Sequence, residues 1–253
     1  MLSLSDPISF RKAVAGVSLI GFSLAGLISC LPDANEGTGT KGAQLQAIAA
    51  AHHSGIWLSG LIFMLSAILT VPALGGMLHL LRHRGVAAGH IGAVFLLLGA
   101  FGHMGYGAWQ LMVSRVPGGT DPAAMAAYLA RASVIQGVLL PLLFAVVIGL
   151  VLMTIALRRS GFAPLWVPVA AVAVTLFELG SNATALSNSK WTPVVTWAIV
   201  AITFGYLGIR VLAMSRDAWA QQLAAGPARL VRAGSAAGRP VPAPAAGTVT
   251  ESA

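Results

Sequence analysis

The chain has 253 residues, 57% of them hydrophobic and only 9% charged, with a formal net charge of +8. Soluble domains carry about 25% charged residues, so too few polar groups exist here to cover a water-exposed core. The positive excess is no nucleic-acid footprint, because most of it flanks apolar stretches, where Lys and Arg stay cytoplasmic during insertion and touch anionic lipid as a consequence.

Six apolar stretches follow one another: Ala13–Leu31, Ser54–Leu81, Gly85–Ser114, Ala132–Leu157, Ser160–Ser189 and Trp191–Ile209. Each reaches, or nearly reaches, the roughly 20 residues a helix needs to cross about 30 Å of hydrocarbon. Glu178 is the only Asp, Glu, Lys or Arg within them. The expected fold is all-α, a polytopic membrane helix bundle of six transmembrane helices. Residues 1–12 form a cytoplasmic lead and residues 13–216 the membrane domain, with spans near 13–31, 56–81, 89–112, 134–157, 162–187 and 192–213. Residues 217–253 form a largely disordered cytoplasmic tail.

Small residues in the first span (Gly16, Gly21, Ala25 and Gly26) favour close helix contact. Residues 32–43 read as an external loop, and Ala43–His53 as a lead into the second helix, which Pro72 should kink. The third span carries Gly99, Gly102 and Gly105 at every third residue, a thin flank for a neighbouring backbone, which places it near the centre of the bundle. Asp121 and Pro122 fit an N-cap and first position for a fourth helix running through Pro141. The fifth opens with Pro164 and Pro168. The sixth opens with Thr192 as N-cap and Pro193 at the first position. Asp217–Ala225 reads as a short interfacial helix with Trp219 and Leu223 on one face. Residues 233–253, rich in Ala, Gly, Pro, Ser and Thr, read as disordered.

Charge sets the orientation. One side would hold Arg11, Lys12, Arg82, Arg84, Arg158, Arg159, Arg210 and Arg216, and the other Lys41, Arg115, Arg131 and Lys190. Basic turns alternate with neutral loops, so both termini are expected in the cytoplasm of a bacterial cell, with the chain multi-pass in its cytoplasmic membrane. Two inner turns also match: Leu81-Arg82-His83-Arg84-Gly85-Val86-Ala87 and Leu157-Arg158-Arg159-Ser160-Gly161-Phe162-Ala163. Duplication of a helical hairpin explains them, as does the plain need of a cytoplasmic turn for Arg and Gly. A different reading of the N-terminus starts from Leu27-Ile28-Ser29-Cys30, which resembles a lipoprotein cleavage box. That resemblance implies acylation at Cys30, the only cysteine, and five remaining spans.

Chemistry concentrates on few residues. A carboxylate at the depth of Glu178 costs a few kcal/mol on insertion scales and should face protein or water. At about 1.5 Å per residue it lies some 24 Å from the inner edge, and His103 about 21 Å along the third span. Tyr106 and Gln110 share the face of His103. Asn182 follows Glu178 by one turn, Gln136 lies near the outer start of the fourth helix, and His52 and His53 near that of the second. The Asn182-Ala183-Thr184 sequon lies at membrane depth and is discounted. These groups admit an outward-facing pocket that binds a polar solute or handles protons through His103 and Glu178. They admit a divalent metal on His52, His53, His103 and Glu178, or a haem between two histidines. They also admit a structural contact in which His103 and Glu178 hydrogen-bond and fasten helices three and five. His79 and His83, four residues apart, read as interfacial, and Trp57, Trp109, Trp166, Trp191 and Trp197 as an aromatic belt. No phosphate-binding glycine loop, zinc-protease helix or serine nucleophile elbow occurs, so nothing points to an enzyme.

The run Arg11-Lys12-Ala13-Val14-Ala15-Gly16, the turn Leu157-Arg158-Arg159-Ser160-Gly161-Phe162-Ala163-Pro164 and the Ala-rich tail resemble small six-span proteins of high-GC actinobacteria, families without an assigned function. Usage of twelve Arg against three Lys suits such a genome. The resemblance carries no catalytic residues. The leading expectation is a membrane binding or transport-accessory protein with a pocket around His103 and Glu178. The alternatives are a metal or haem protein on the same residues, or a structural or assembly subunit without ligand; the partners expected in each case are the bilayer and other membrane subunits.

Overall fold

The computed structural model describes residues 6–34, 53–81, 85–114, 122–182 and 191–224. Within these ranges the side chains of 32–34, 53, 54, 113, 122–138, 140, 182 and 222–224 lie outside the description. The described residues form helices and turns, with no strand among them. The helices are α1 (Pro7–Ala34), α2 (His53–Leu80), α3 (Val86–Val113), α4 (Pro122–Arg159), α5 (Trp166–Asn182), α6 (Trp191–Ala213) and α7 (Arg216–Ala224). Five are long and apolar enough to cross a membrane, through Pro7–Leu31, Gly55–Leu80, Val86–Met112, Pro141–Arg159 and Trp191–Ala213. Helix α5 is apolar but shorter, 17 residues or about 25 Å.

The first six helices close a ring. Each packs on its neighbours in chain order, and α6 returns to pack on α1. No helix occupies the middle, so the expected central position of the third is corrected: α3 is a ring member between α2 and α4. Its glycines do serve close approach. A Cβ built on Gly102 would meet the backbone N of Leu143 at 2.9 Å, and one on Gly99 would meet that of Val146 at 2.9 Å. The same device recurs at other seams, with Gly60 against Gly107 between α2 and α3 and Gly16 against Gly208 between α1 and α6. The α1/α2 seam adds hydroxyl bonds: Ser59 donates to the Ser29 carbonyl at 2.5 Å and Ser66 to that of Phe22 at 2.7 Å.

The outside of the ring is apolar. Leu58, Leu61, Leu65 and Ile68 on α2, and Ile91, Val94, Leu98 and Phe101 on α3, are exposed at helical spacing. A soluble bundle would bury such stripes. Here the inward faces carry buried Ser23, Ser66, Thr154 and Thr203 instead, each bonded to a backbone carbonyl. That reversal fits a hydrocarbon surround.

One end of the ring is densely packed and basic. Lys12 Nζ donates to the Leu212 and Met214 carbonyls at 3.3 and 2.7 Å, satisfying groups at the end of α6 that have no acceptor role within the helix. Arg210 donates to the Phe162 carbonyl in the α4–α5 turn and lies 5.0 Å from the Phe162 ring centroid. Asp6 accepts from the Ser9 backbone and hydroxyl, capping α1, and pairs with Arg216 at 2.8 Å. Helix α7 folds back across this end. Its Trp219 is 2% exposed and stacks on His79 with ring centroids 4.2 Å apart. His79 Nε2 donates to the Trp219 carbonyl at 3.1 Å. The short helix expected near Asp217–Ala225 is therefore present, and Trp219 is docked into the protein. Trp219, Leu81, Met153, Leu157, Phe162, Val167, Leu207 and Val211 belong to one buried core at this end.

Helix starts differ from expectation in two places. Gly161, at φ 82°, ends α4: its N–H bonds the Arg158 carbonyl while Phe162 N–H reaches back to Leu157. This left-handed cap, with Pro164 after it, delays α5 to Trp166. Helix α6 begins at Trp191, so Thr192 and Pro193 lie inside its first turn. Helix α4 starts at Pro122 and runs through Pro141, and α2 continues through Pro72. Gly85, the counterpart of Gly161 in the two matching turns, shares its left-handed conformation at φ 76°. Residues 35–52, 183–190 and 225–253, with the expected loop, sequon threonine and tail, lie outside the described residues.

Candidate functional site: a cavity inside the ring

Above the packed end the ring surrounds a half-open cavity of about 380 Å³. All six ring helices line it. Three of them change from apolar to polar in the same direction. Along α3 the lining residues are Leu96, Ala100, His103, Tyr106 and Gln110; along α5 Val174 precedes Glu178; along α6, read backwards, Val200 precedes Trp197 and Thr196. Helices α3 and α5 start at the basic end, and α6 finishes there. Most of the polar groups therefore gather at the far end, and α1 adds Ser29 and Cys30 to them, while Thr70 of α2 lies nearer the basic end. Helix α4 supplies only apolar groups among its described lining residues, including Leu143, Phe144 and Leu150.

His103 is 7% exposed. Its ring packs 4.5 Å from Phe63 and 5.4 Å from Trp197, centroid to centroid. Phe63 also meets Tyr106 and Trp197 edge-on, at 5.7 and 5.9 Å. Trp197 can sit inside the ring because its indole lies over Gly26 of α1, at a spot where any Cβ would collide with it. Glu178 is partly buried, and its Oε1 accepts a 2.5 Å hydrogen bond from the Thr196 hydroxyl. No hydrogen bond joins His103 to Glu178 among the described residues, and α3 and α5 are not ring neighbours. The expected fastening of helices three and five is corrected accordingly: Glu178 ties α5 to α6.

His103, Glu178, Tyr106 and Gln110 thus line one cavity. The side chains of Gln136, Asn182 and His53 lie outside the described residues, as does all of His52. Among the described residues no group of three His, Cys, Asp or Glu side chains comes close enough to hold a metal ion. Cys30 is buried, with its thiol 3.3 Å from the Gly26 carbonyl, and α1 continues past it to Ala34. Trp57, Trp166 and Trp191 are exposed, the condition that an aromatic belt sets. It fails for Trp109, which is buried and stacks on Tyr106, and for Trp197.

Sequence reasoning missed Phe63, Trp197, Thr196 and Ser29 as parts of the site. Thr196 lay within reach of inference, one turn into a helix opposite Glu178. Phe63 and Trp197 depend on which helices touch, and that is a tertiary fact. The chain matches no protein-family model, no curated protein and no solved structure.

Proposed function

We propose that this chain is a six-span membrane protein of binding or transport-accessory type, with a ligand cavity facing the cell exterior and His103 and Glu178 as its binding groups. One observation carries the reading: a cavity lined by every helix of the ring, with most of its polar side chains toward one end. Ligand sites are commonly apolar pockets of about 300–1,000 Å³ with a few convergent polar groups. A purely structural bundle gains nothing from leaving that volume unfilled, since a void forfeits contacts.

The span count rests on geometry. Asp6 and Lys12, at the start of α1, meet Arg216 and the end of α6. A first start and last end on one face support an even number of crossings, and the short α5 is proposed as the sixth span. A stretch of about 25 Å crosses with modest thinning of the bilayer. The basic turns then lie in the cytoplasm of a bacterial cell, with both termini, and the polar end of the cavity faces outward.

The test uses full-length protein in lipid nanodiscs. A solute library should yield ligands that raise the thermal midpoint, and Glu178→Gln and His103→Phe should abolish that rise while the unliganded variants stay folded. Retention of the rise in both variants would remove these residues from the site. Soret absorbance and metal analysis of the same sample address the rival metal or haem reading: a coloured or metal-loaded preparation would favour it over solute binding. Reporter fusions in the Gly161 turn should read cytoplasmic.

A further inference from the structure

We infer that the outer side of the α5–α6 seam holds one anionic phospholipid, its phosphate on Arg210 and an acyl chain running past Gly205. The site is separate from the cavity. It rests on the membrane embedding proposed above and on nothing about what the cavity binds.

Arg210 is the sole charged residue of α6. A guanidinium carries five N–H donors in a planar fork that matches a phosphate. One of them goes to the Phe162 carbonyl, and the group is held against the Phe162 and Tyr206 rings, 5.0 and 6.0 Å from their centroids. Among the described residues no carboxylate pairs with it and no second acceptor takes its hydrogens. The charge is therefore positioned by its neighbours and left without a counter-ion, on a half-buried side chain of a membrane-length helix. Such a cation is expensive in hydrocarbon and stable at the headgroup level.

The surroundings set that level. Trp166 is exposed and packs on Tyr206 with ring centroids 5.0 Å apart. Trp and Tyr collect where headgroups meet hydrocarbon. Arg210 lies one turn beyond Tyr206 toward the helix end, about 6 Å, where a phosphate would lie. On the hydrocarbon side, Val169, Val172 and Leu176 of α5 and Ile202 and Ile209 of α6 are exposed. Gly205 leaves a notch between the two isoleucines, since a Cβ added there would meet nothing within 4 Å. An acyl chain fits this strip better than a water-soluble phosphate does.

Charge selects the head. Among the described residues the basic end holds Arg11, Lys12, Arg158, Arg159, Arg210 and Arg216 against Asp6 and Asp217. Asp6 is taken by Arg216. The ammonium of a zwitterionic lipid would stand among like charges, whereas a net anionic head meets its complement. One basic residue near a membrane surface favours an anionic lipid roughly fivefold.

The test places full-length protein in nanodiscs of phosphatidylglycerol and phosphatidylcholine, equal in amount and chain length, and weighs retained lipid by native mass spectrometry. The parent should keep one phosphatidylglycerol, preferred at least about fivefold. Arg210→Gln should move that ratio toward one, and Arg210→Lys should keep part of it. Gly205→Leu fills the notch without meeting packed atoms and should lower retention of both lipids; it decides the matter if Arg210→Gln does not fold. Arg11→Gln removes an exposed charge of the same end and should change nothing. Equal losses in Arg11→Gln and Arg210→Gln would assign the preference to diffuse charge and overturn the site, as would a parent that keeps no lipid or a ratio indifferent to Arg210→Gln. Retention indifferent to Gly205→Leu, or displacement by glycerol phosphate as readily as by phosphatidylglycerol, would overturn the placement of the chain.

Discussion

Adding one methyl group to two glycines of the same ring should move stability in opposite directions. Gly102 of α3 presses on the α4 backbone: a Cβ there would lie 2.9 Å from the Leu143 nitrogen and 3.0 Å from the Leu142 carbonyl carbon. Ordinary van der Waals contact begins near 3.4 Å, so the two helices must part by about half an ångström. Backbone cannot rotate aside as a side chain does, and the separation spreads along a seam shared with Gly99 and Gly92. Overpacking of this kind costs about 1–3 kcal/mol. The intrinsic helix preference of Ala over Gly returns up to about 1 kcal/mol. Gly102→Ala should therefore be destabilised by roughly 1–2 kcal/mol. At Gly75 of α2 the added methyl meets nothing within 4 Å, so Gly75→Ala should be neutral or stabilised by up to about 1 kcal/mol. Both values can be read from reversible unfolding in mixed micelles, followed by tryptophan fluorescence. Equal midpoints for the two variants would refute the α3–α4 packing, and with it the ring.

Thr196→Val removes a donor to Glu178 and should cost about 1–3 kcal/mol, the range for removing one partner of a buried hydrogen bond; Thr196→Ser should retain most of it in the same assay. Trp219→Ala should release α7 from His79, at a cost on the order of 3 kcal/mol, and trypsin should then cut after Arg216 faster than in the parent. Asp6 has its pKa held below the usual carboxylate value, chiefly by the Ser9 hydroxyl and with help from Arg216. A depressed folded pKa means that this cap contributes fully above about pH 4 and is lost as pH falls through the folded value. The midpoint advantage of the parent over Asp6→Asn should accordingly vanish in acid.

The helices were legible because hydrocarbon imposes a length and forbids charge, and both marks survive in a linear string. Pro122 and the basic turns needed no tertiary knowledge either. The ring was not legible. Gly99, Gly102 and Gly105 announced a close neighbour without saying which, and a thin flank suits a ring member as well as a central helix. The start of α5 was misplaced because Gly161 and Pro164 act together as a cap, and an apolar count reads straight through them. At the site, depth along each helix was enough to group His103 with Glu178. The aromatic wall was invisible because Trp197 enters the interior only over Gly26, on a helix far away in the chain.

Lys12, Arg210 and Trp219 together stopper the basic end, and the hydrophobic plug lies directly beneath the cavity floor. A vessel sealed at its base exchanges with one phase only. Under the proposed binding function, its filling should follow the concentration of guest on the open side alone. Passage through the basic end would demand that the stopper be drawn first, so the resting shape is that of a cup rather than a conduit.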